Sequence, residues 1–169
     1  GWEIPASYFQ SINPLLIVTL APVFSVMWRK IDQSRYAIST PAKMGIGMIL
    51  LGCGFVVMYI AQGIAAETGL VGPLWLVSVY FLHTVGELCL SPIGLSMVSK
   101  LSPARLTAVM MGVWFASSAV ANYTAGILEA FLHDFHIPLY GFLIFSSIGA
   151  GGLLLGITPI LKKYMHGRG

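Results

Sequence analysis

Five long apolar runs constrain this chain more than any other feature of its sequence. They cover residues 8–28, 44–65, 74–99, 107–132 and 139–161. A helix needs about 20 predominantly apolar residues to cross a bilayer, and each run reaches that length. Backbone groups in lipid must be hydrogen-bonded within the spanning structure, and these runs lack the alternating pattern of barrel strands. The sequence therefore predicts an all-α membrane protein with five transmembrane helices.

The composition excludes several other classes of protein. The chain is 57% hydrophobic and 9% charged, whereas a soluble domain carries about 25% charged residues. Cys53 and Cys89 lie inside apolar runs and are interpreted as small buried hydrophobes. The basic residues occupy short connectors, so no nucleic-acid partner is predicted. Zinc-protease, C-x-x-C and phosphate-loop motifs do not occur in the sequence, so we predict no metal site and no bound cofactor.

The basic residues also predict an orientation. All nine Lys and Arg residues lie after the first, third and fifth runs: Arg29, Lys30, Arg35, Lys43, Lys100, Arg105, Lys162, Lys163 and Arg168. The opposite side carries acidic residues instead: Glu3, Glu67, Glu129 and Asp134. Cytoplasmic loops of membrane proteins are enriched in Lys and Arg. We therefore predict a multi-pass protein of the cell (inner) membrane, with a cytoplasmic C-terminus and Gly1 outside.

An odd number of spans with an outside N-terminus is unusual for a whole protein. The first residues, "GWEIPASYF", include no initiator methionine and no basic region of a signal peptide. The chain is therefore predicted to be the back end of a larger protein.

Polar residues are distributed unevenly over the five runs. The second run has no ionisable side chain in residues 44–65, and glycines recur in both the second and the fifth run. Small residues let helices pack closely in lipid. The first, third and fourth runs carry the polar side chains instead, and such residues usually face a bundle interior or a water-filled path. We predict three helices that line a cavity and two that back them.

Glu87, in the stretch "HTVGELCLSP", is the strongest candidate for function. It lies thirteen residues from both Leu74 and Lys100, which places it near the bilayer midplane. An acidic side chain there costs about 2.5–3.5 kcal/mol on insertion scales. A partner, water or protonation must offset that cost. Glu87 is predicted to exchange protons or to hold a cationic ligand; the alternative is a structural glutamate paired with His83, four residues earlier.

Other candidates lie near the glutamate and on the fourth run. Pro92 clashes with the carbonyl of Leu88 and is predicted to act as a gating hinge or, alternatively, as a packing kink. Trp114 and Ser118 share a helix face, which Asn122 continues. This face is predicted to wall a binding pocket, and the alternative is packing against lipid or protein.

Three further polar side chains receive simpler interpretations. Ser117 and Thr124 are predicted to hydrogen-bond to carbonyls of their own helix. His83 by itself is more typical of a buried structural histidine than of a proton relay.

Three quoted segments resemble one family: "IPASYFQSINPLLIVTLAPVFSVMW", "HTVGELCLSPIGLSMVSKLSPAR" and "MMGVWFASSAVANYTAG". They are similar to consecutive parts of the proton-dependent oligopeptide transporters, which belong to the major facilitator superfamily. The resemblance covers essentially the whole chain. It implies helices 8 to 12 of a twelve-helix transporter, the C-terminal half without its N-terminal partner half.

The resemblance also implies roles for individual residues. Glu87 would meet the amino end of a bound di- or tripeptide, and Asn13 would hydrogen-bond the peptide nearby. Trp114 and Ser118 would line the side-chain pocket and the cytoplasmic-side gate. Independently of the resemblance, the residue pattern predicts His83, Pro92 and Asn122 as gating or helper residues. The implied activity is proton-coupled symport of peptides by alternating access, with protons as the coupling ion.

Other functions remain open on the sequence alone. A related transporter of the superfamily could carry another small solute, although Glu87 disfavours an anion. A membrane-embedded hydrolase could use Ser96 or Cys89. A structural subunit could use Glu87 to pack against a neighbouring helix.

Overall fold

Five helices make up the part of the chain that the structure, a computed structural model, describes: residues 11–35, 37–69 and 71–164. In chain order they are α1 (Ile12–Asp32), α2 (Thr40–Thr68), α3 (Pro73–Leu101), α4 (Thr107–Asp134) and α5 (Leu139–Tyr164). The predicted all-α fold is confirmed. The start of the first predicted span, at residues 8–10, and Gly1 lie outside the described residues.

Four helices, α1, α2, α3 and α5, are long and apolar enough to cross a membrane. The fourth predicted span corresponds to α4, which has 28 residues but is not among the four. Polar side chains lower its hydropathy, chiefly Asn122 with Ser117 and Ser118. Its length still matches that of a membrane-crossing helix.

The helices extend beyond the apolar runs at the basic end of the bundle. α1 continues to Asp32, and α2 already begins at Thr40. Arg29, Lys30 and Lys43 therefore lie in helices, whereas the sequence placed them in a connecting loop. Long basic side chains keep their charge in water while their aliphatic stems lie along the helix, so a helix need not end where the apolar run ends.

Glycines bring α2 close to both α3 and α5. A Cβ atom added to Gly47 would lie 2.8 Å from the carbonyl oxygen of Gly86, and one added to Gly151 would lie 2.8 Å from that of Gly45. A side chain at these positions would force the helices apart. The predicted close packing of the second run is confirmed. On α5 it rests on Gly151, since several other glycines of that helix have open space around them.

α3 contacts three of the other helices, α2, α1 and α4. It packs against α2 on one side, and α1 and α4 contact it elsewhere. α1 has no fully buried residue, and Leu132 is the one buried residue of α4. The backing pair α2–α5 is thus well packed, and the more polar helices α1 and α4 are much more exposed.

Candidate functional site

Glu87 stands at the centre of α3 and meets Asn13 of α1. It lies fourteen residues from each end of that helix, Pro73 and Leu101. The Asn13 amide Nδ2 donates to Glu87 Oε2 over 3.5 Å, and Thr84 Oγ1 donates to Asn13 Oδ1 over 2.6 Å. The structure therefore joins the two predicted substrate-binding residues, Glu87 and Asn13, through one short network.

Thr84 fixes the orientation of the Asn13 amide. An asparagine amide has one acceptor oxygen and one donor nitrogen. The Thr84 hydroxyl, which is 0% exposed, engages the oxygen, so the nitrogen is left to face Glu87. Thr84 was not among the site residues predicted from the sequence. The available signal was its position three residues before Glu87, which places both on neighbouring parts of one helix face.

The Glu87 carboxylate retains capacity for a ligand. The side chain is half-buried, and the long Asn13 contact is its one hydrogen bond within the described part of the chain. An ionised carboxylate has two oxygens that accept hydrogen bonds. An ammonium group near Glu87 would gain charge-assisted hydrogen bonds, which are about twice as strong as neutral ones.

His83 turns away from Glu87 and toward α2. Its ring lies over Gly54 and meets the Phe55 ring edge-on, with centroids 4.7 Å apart and an interplanar angle of 66°. Its Nε2 atom is buried without a hydrogen-bond partner in the part of the chain described. His83 and Glu87 form no hydrogen bond or ion pair within the described part of the chain, so the alternative of a His83–Glu87 pair is wrong for this structure. The imidazole lies against Phe55 of α2, whereas the carboxylate meets Asn13 of α1.

Trp114, one of the three candidates on α4, contacts α3 at a second place. The Trp114 ring packs directly against Gly94, where a side chain would clash with it. Ser118 is exposed, and its hydroxyl donates to the Trp114 carbonyl over 3.4 Å. Asn122 is exposed as well. In the described part of the chain, Glu87 is hydrogen-bonded to Asn13 and to none of these three residues, so their assignment to the same binding pocket stays a prediction.

The predicted back-bonding serines and threonines of α4 are confirmed. Ser117 Oγ donates to the Trp114 carbonyl over 2.7 Å, and Thr124 Oγ1 donates to the Val120 carbonyl over the same distance. These hydroxyls are satisfied within their helix and need no external partner.

Pro92 lies inside α3, which continues through it without interruption. It is exposed and lines a cleft of about 1050 Å³ at the basic end of the bundle. The cleft does not include Asn13, Glu87 or Trp114. The role of Pro92 as a hinge stays a prediction. Its position on the cleft wall, five residues after Glu87 on α3, is suited to a hinge.

A part-buried ion pair borders the same cleft. Lys43 Nζ contacts both carboxylate oxygens of Asp32, at 2.6 and 2.8 Å, and lies 5.0 Å from the centre of the Trp28 ring. Lys43 is only 7% exposed. From the sequence, Lys43 was predicted only to mark orientation, and Asp32 received no role. Their pairing joins two helices across a turn and leaves no periodic signal.

Two other features bear on the alternatives. Cys89 is 1% exposed, so its thiol is closed to a substrate. The described residues contain no group of three His, Cys, Asp or Glu side chains suited to a metal ion.

The sequence and fold are similar to those of known transporters. A sequence model of the POT family matches residues 1–143. The Peptide transporter YePEPT of Yersinia enterocolitica is 45% identical over 100% of this chain and 34% of its own length. Dipeptide and tripeptide permease B of Xenorhabdus bovienii is 32% identical over 98% of this chain and 36% of its own length.

A solved structure shares the fold. A mutant peptide transporter POT in complex with alafosfalin superposes with a TM-score of 0.81 and 36% identity, over 96% of this chain and 33% of that protein. The chain thus spans about one third of the length of these relatives, with shares of 34% for the peptide transporter and 36% for the permease.

Proposed function

The chain belongs to the POT family, and we propose that it supplies the C-terminal half of the substrate site in a proton-coupled transporter of di- and tripeptides. It is a multi-pass membrane protein, and it resembles peptide transporters throughout its length. The names of the two relatives, a peptide transporter and a dipeptide and tripeptide permease, support the substrate class.

The contact between Asn13 and Glu87 carries this proposal. A di- or tripeptide has a positively charged amine at one end, and Glu87 offers a half-buried carboxylate at the centre of α3 to receive it. The Asn13 amide, oriented by Thr84, lies within 3.5 Å of that carboxylate. In this role it would hydrogen-bond the peptide beside its amine.

Protons are the proposed coupling ion, and no other cofactor is invoked. Transport would proceed by alternating access, in which two halves of the protein rock about a site at the midplane. On this chain, Pro92 is the proposed bending point, because it removes a backbone hydrogen bond five residues beyond Glu87.

Trp114 and Ser118 are proposed to line the side-chain pocket, with His83 and Asn122 as helpers.

We propose that the bundle spans the cell membrane with its basic end on the cytoplasmic side. Lys and Arg enrichment at that end supports it. The proposed intramolecular partner is the N-terminal half of the same transporter. α1 and α4 are the helices that would meet it, since they are the least covered by the rest of this chain.

The test uses the full-length transporter in liposomes. We would measure uptake of labelled dialanine with and without an inward proton gradient, for the intact protein, Glu87→Ala and the exposed control Glu129→Gln. The gradient should drive uptake in the intact protein and the control, and Glu87→Ala should abolish it without loss of protein from the membrane.

Two outcomes would contradict the proposal in different ways. If the intact protein ignores dialanine, the substrate is another small solute, and a panel of solutes identifies it. If Glu87→Ala takes up dialanine normally, Glu87 has a packing role, and a shift in assembly or thermal stability would reveal it.

A further inference from the structure

The cleft at the basic end of the bundle has chemistry that peptide binding at Glu87 does not use. It lies among the ends of α1, α2, α3 and α5, away from Asn13 and Glu87. Its basic lining residues are Arg29, Lys43, Lys100 and Lys162, and Asp32 is its acidic one. Asp32 is engaged by Lys43, so the other cations are not neutralised by it.

Two buried hydrogen-bond donors line the same cleft. The Ser39 hydroxyl belongs to a residue only 6% exposed, and it has no hydrogen-bond partner in the described part of the chain. The Trp28 indole Nε1 is also buried and likewise unpaired there. Buried polar groups in folded proteins are nearly always hydrogen-bonded, so two orphan donors at one cleft indicate a ligand that accepts hydrogen bonds.

Ser39 also marks the N-terminus of α2. It is the N-cap residue of that 29-residue helix, yet its side chain makes no capping hydrogen bond. The first turn of a helix presents unpaired N–H groups and the positive end of the helix dipole, which together favour an anion. Pro41 contributes no N–H to this turn, so the Ser39 hydroxyl and the Trp28 N–H are important donors.

We propose that this cleft binds a phosphate group, held by Ser39, Trp28 and the α2 N-terminus and attracted by Arg29 and Lys100. Phosphate accepts several hydrogen bonds at once, which matches two orphan donors beside basic side chains. The head group of an anionic phospholipid is one source, because the cleft opens at the ends of the membrane-crossing helices, and basic pockets there bind such head groups. Free phosphate is the other source.

Native mass spectrometry of the full-length transporter tests the proposal. The probe is phosphatidylglycerol, with phosphatidylcholine as the zwitterionic reference. The intact protein should retain phosphatidylglycerol preferentially. Ser39→Ala with Trp28→Phe, which keeps the aromatic ring beside Lys43, should weaken its affinity by at least about tenfold, as expected when hydrogen bonds to a charged group are lost. Lys100→Gln should act in the same direction.

Matched controls separate this site from general effects. Arg105→Gln removes a basic residue that does not line the cleft, and Trp75→Phe alters a tryptophan on α3 at the opposite end. Both should bind phosphatidylglycerol as the intact protein does. Thermal denaturation without added lipid checks that each variant is folded.

Calorimetric titration with inorganic phosphate distinguishes the two sources. Binding that is lost in the Ser39→Ala, Trp28→Phe protein supports a phosphate site open to soluble ligands. Phosphatidylglycerol retention with no phosphate binding supports a lipid site. The proposal is overturned if both lipids are retained equally, if the cleft variants and the controls bind alike, or if dialanine displaces the bound ligand.

Discussion

The Thr84 hydroxyl donates a 2.6 Å hydrogen bond to Asn13 Oδ1, and this contact joins the centre of α3 to the start of α1. Thr84 itself is fully buried and would not touch a peptide. It holds the Asn13 amide so that its nitrogen faces Glu87. The geometry of the proposed amine site therefore depends on a residue that lies behind it.

Replacing Thr84 should weaken peptide binding through Asn13. In Thr84→Val the Asn13 oxygen loses its donor, which costs about 1–3 kcal/mol when the group remains buried. We expect the KM for dialanine to rise about tenfold with a smaller change in the maximal rate. Thr84→Ser keeps the hydroxyl and should restore KM. Equal KM values for the valine and serine variants would contradict the positioning role.

A side chain at Gly47 should destabilise the α2–α3 pair. Its Cβ would lie 2.8 Å from the Gly86 carbonyl oxygen, and backbone atoms cannot move aside as a flexible side chain can. Overpacking of this kind costs about 1–3 kcal/mol. Gly47→Ala should lower the Tm of the full-length protein in detergent. Gly63→Ala, on the same helix with nothing within 4 Å, is the control and should not lower it.

Asp32 should stabilise the protein by neutralising Lys43. Because the Asp32 side chain is 49% exposed while that of Lys43 is 9% exposed, water screens the pair, and we expect Asp32→Ala to cost only about 1 kcal/mol. The loss arises mainly from an unpaired buried ammonium. Adding Lys43→Met to Asp32→Ala should recover much of the lost Tm. A double variant less stable than Asp32→Ala would show that Lys43 is held by other contacts.

Gly94 should control the position of the Trp114 ring. Any side chain at Gly94 collides with that ring, so Gly94→Val must displace it. If Trp114 walls the side-chain pocket, the ranking of dipeptides by side-chain size should change in uptake competition assays. Gly112→Ala on α4, where a Cβ meets nothing within 4 Å, should leave the ranking intact. An unchanged ranking in Gly94→Val would remove Trp114 from the pocket.

Hydropathy located the helices because it reports which segments lipid can surround, but it did not fix their ends. α2 begins four residues before its apolar run, where Ser39 and Pro41 suit the start of a helix. It ends at Thr68 and is capped by Gly69, whose φ of 82° suits glycine. Such local signals override the hydropathy profile at helix ends.

Glu87 was identifiable from the sequence since an acidic side chain in an apolar run is rare and costly. Its contacts were not. Whether Glu87 meets His83 or Asn13 depends on how α1, α2 and α3 surround one another, and periodicity along α3 cannot show that. The pairing of Lys43 with Asp32 escaped for the same reason.

The most direct test of the account asks whether Glu87 holds the peptide amine. We would measure binding of dialanine and of N-acetylated dialanine, which lacks the positive charge, to the purified full-length transporter and to Glu87→Gln by calorimetry. We expect Glu87→Gln to weaken dialanine binding about ten- to a hundredfold, the range for a charged hydrogen bond, while the weaker binding of the acetylated peptide stays the same. Equal losses for both ligands, or no loss for dialanine, would contradict it.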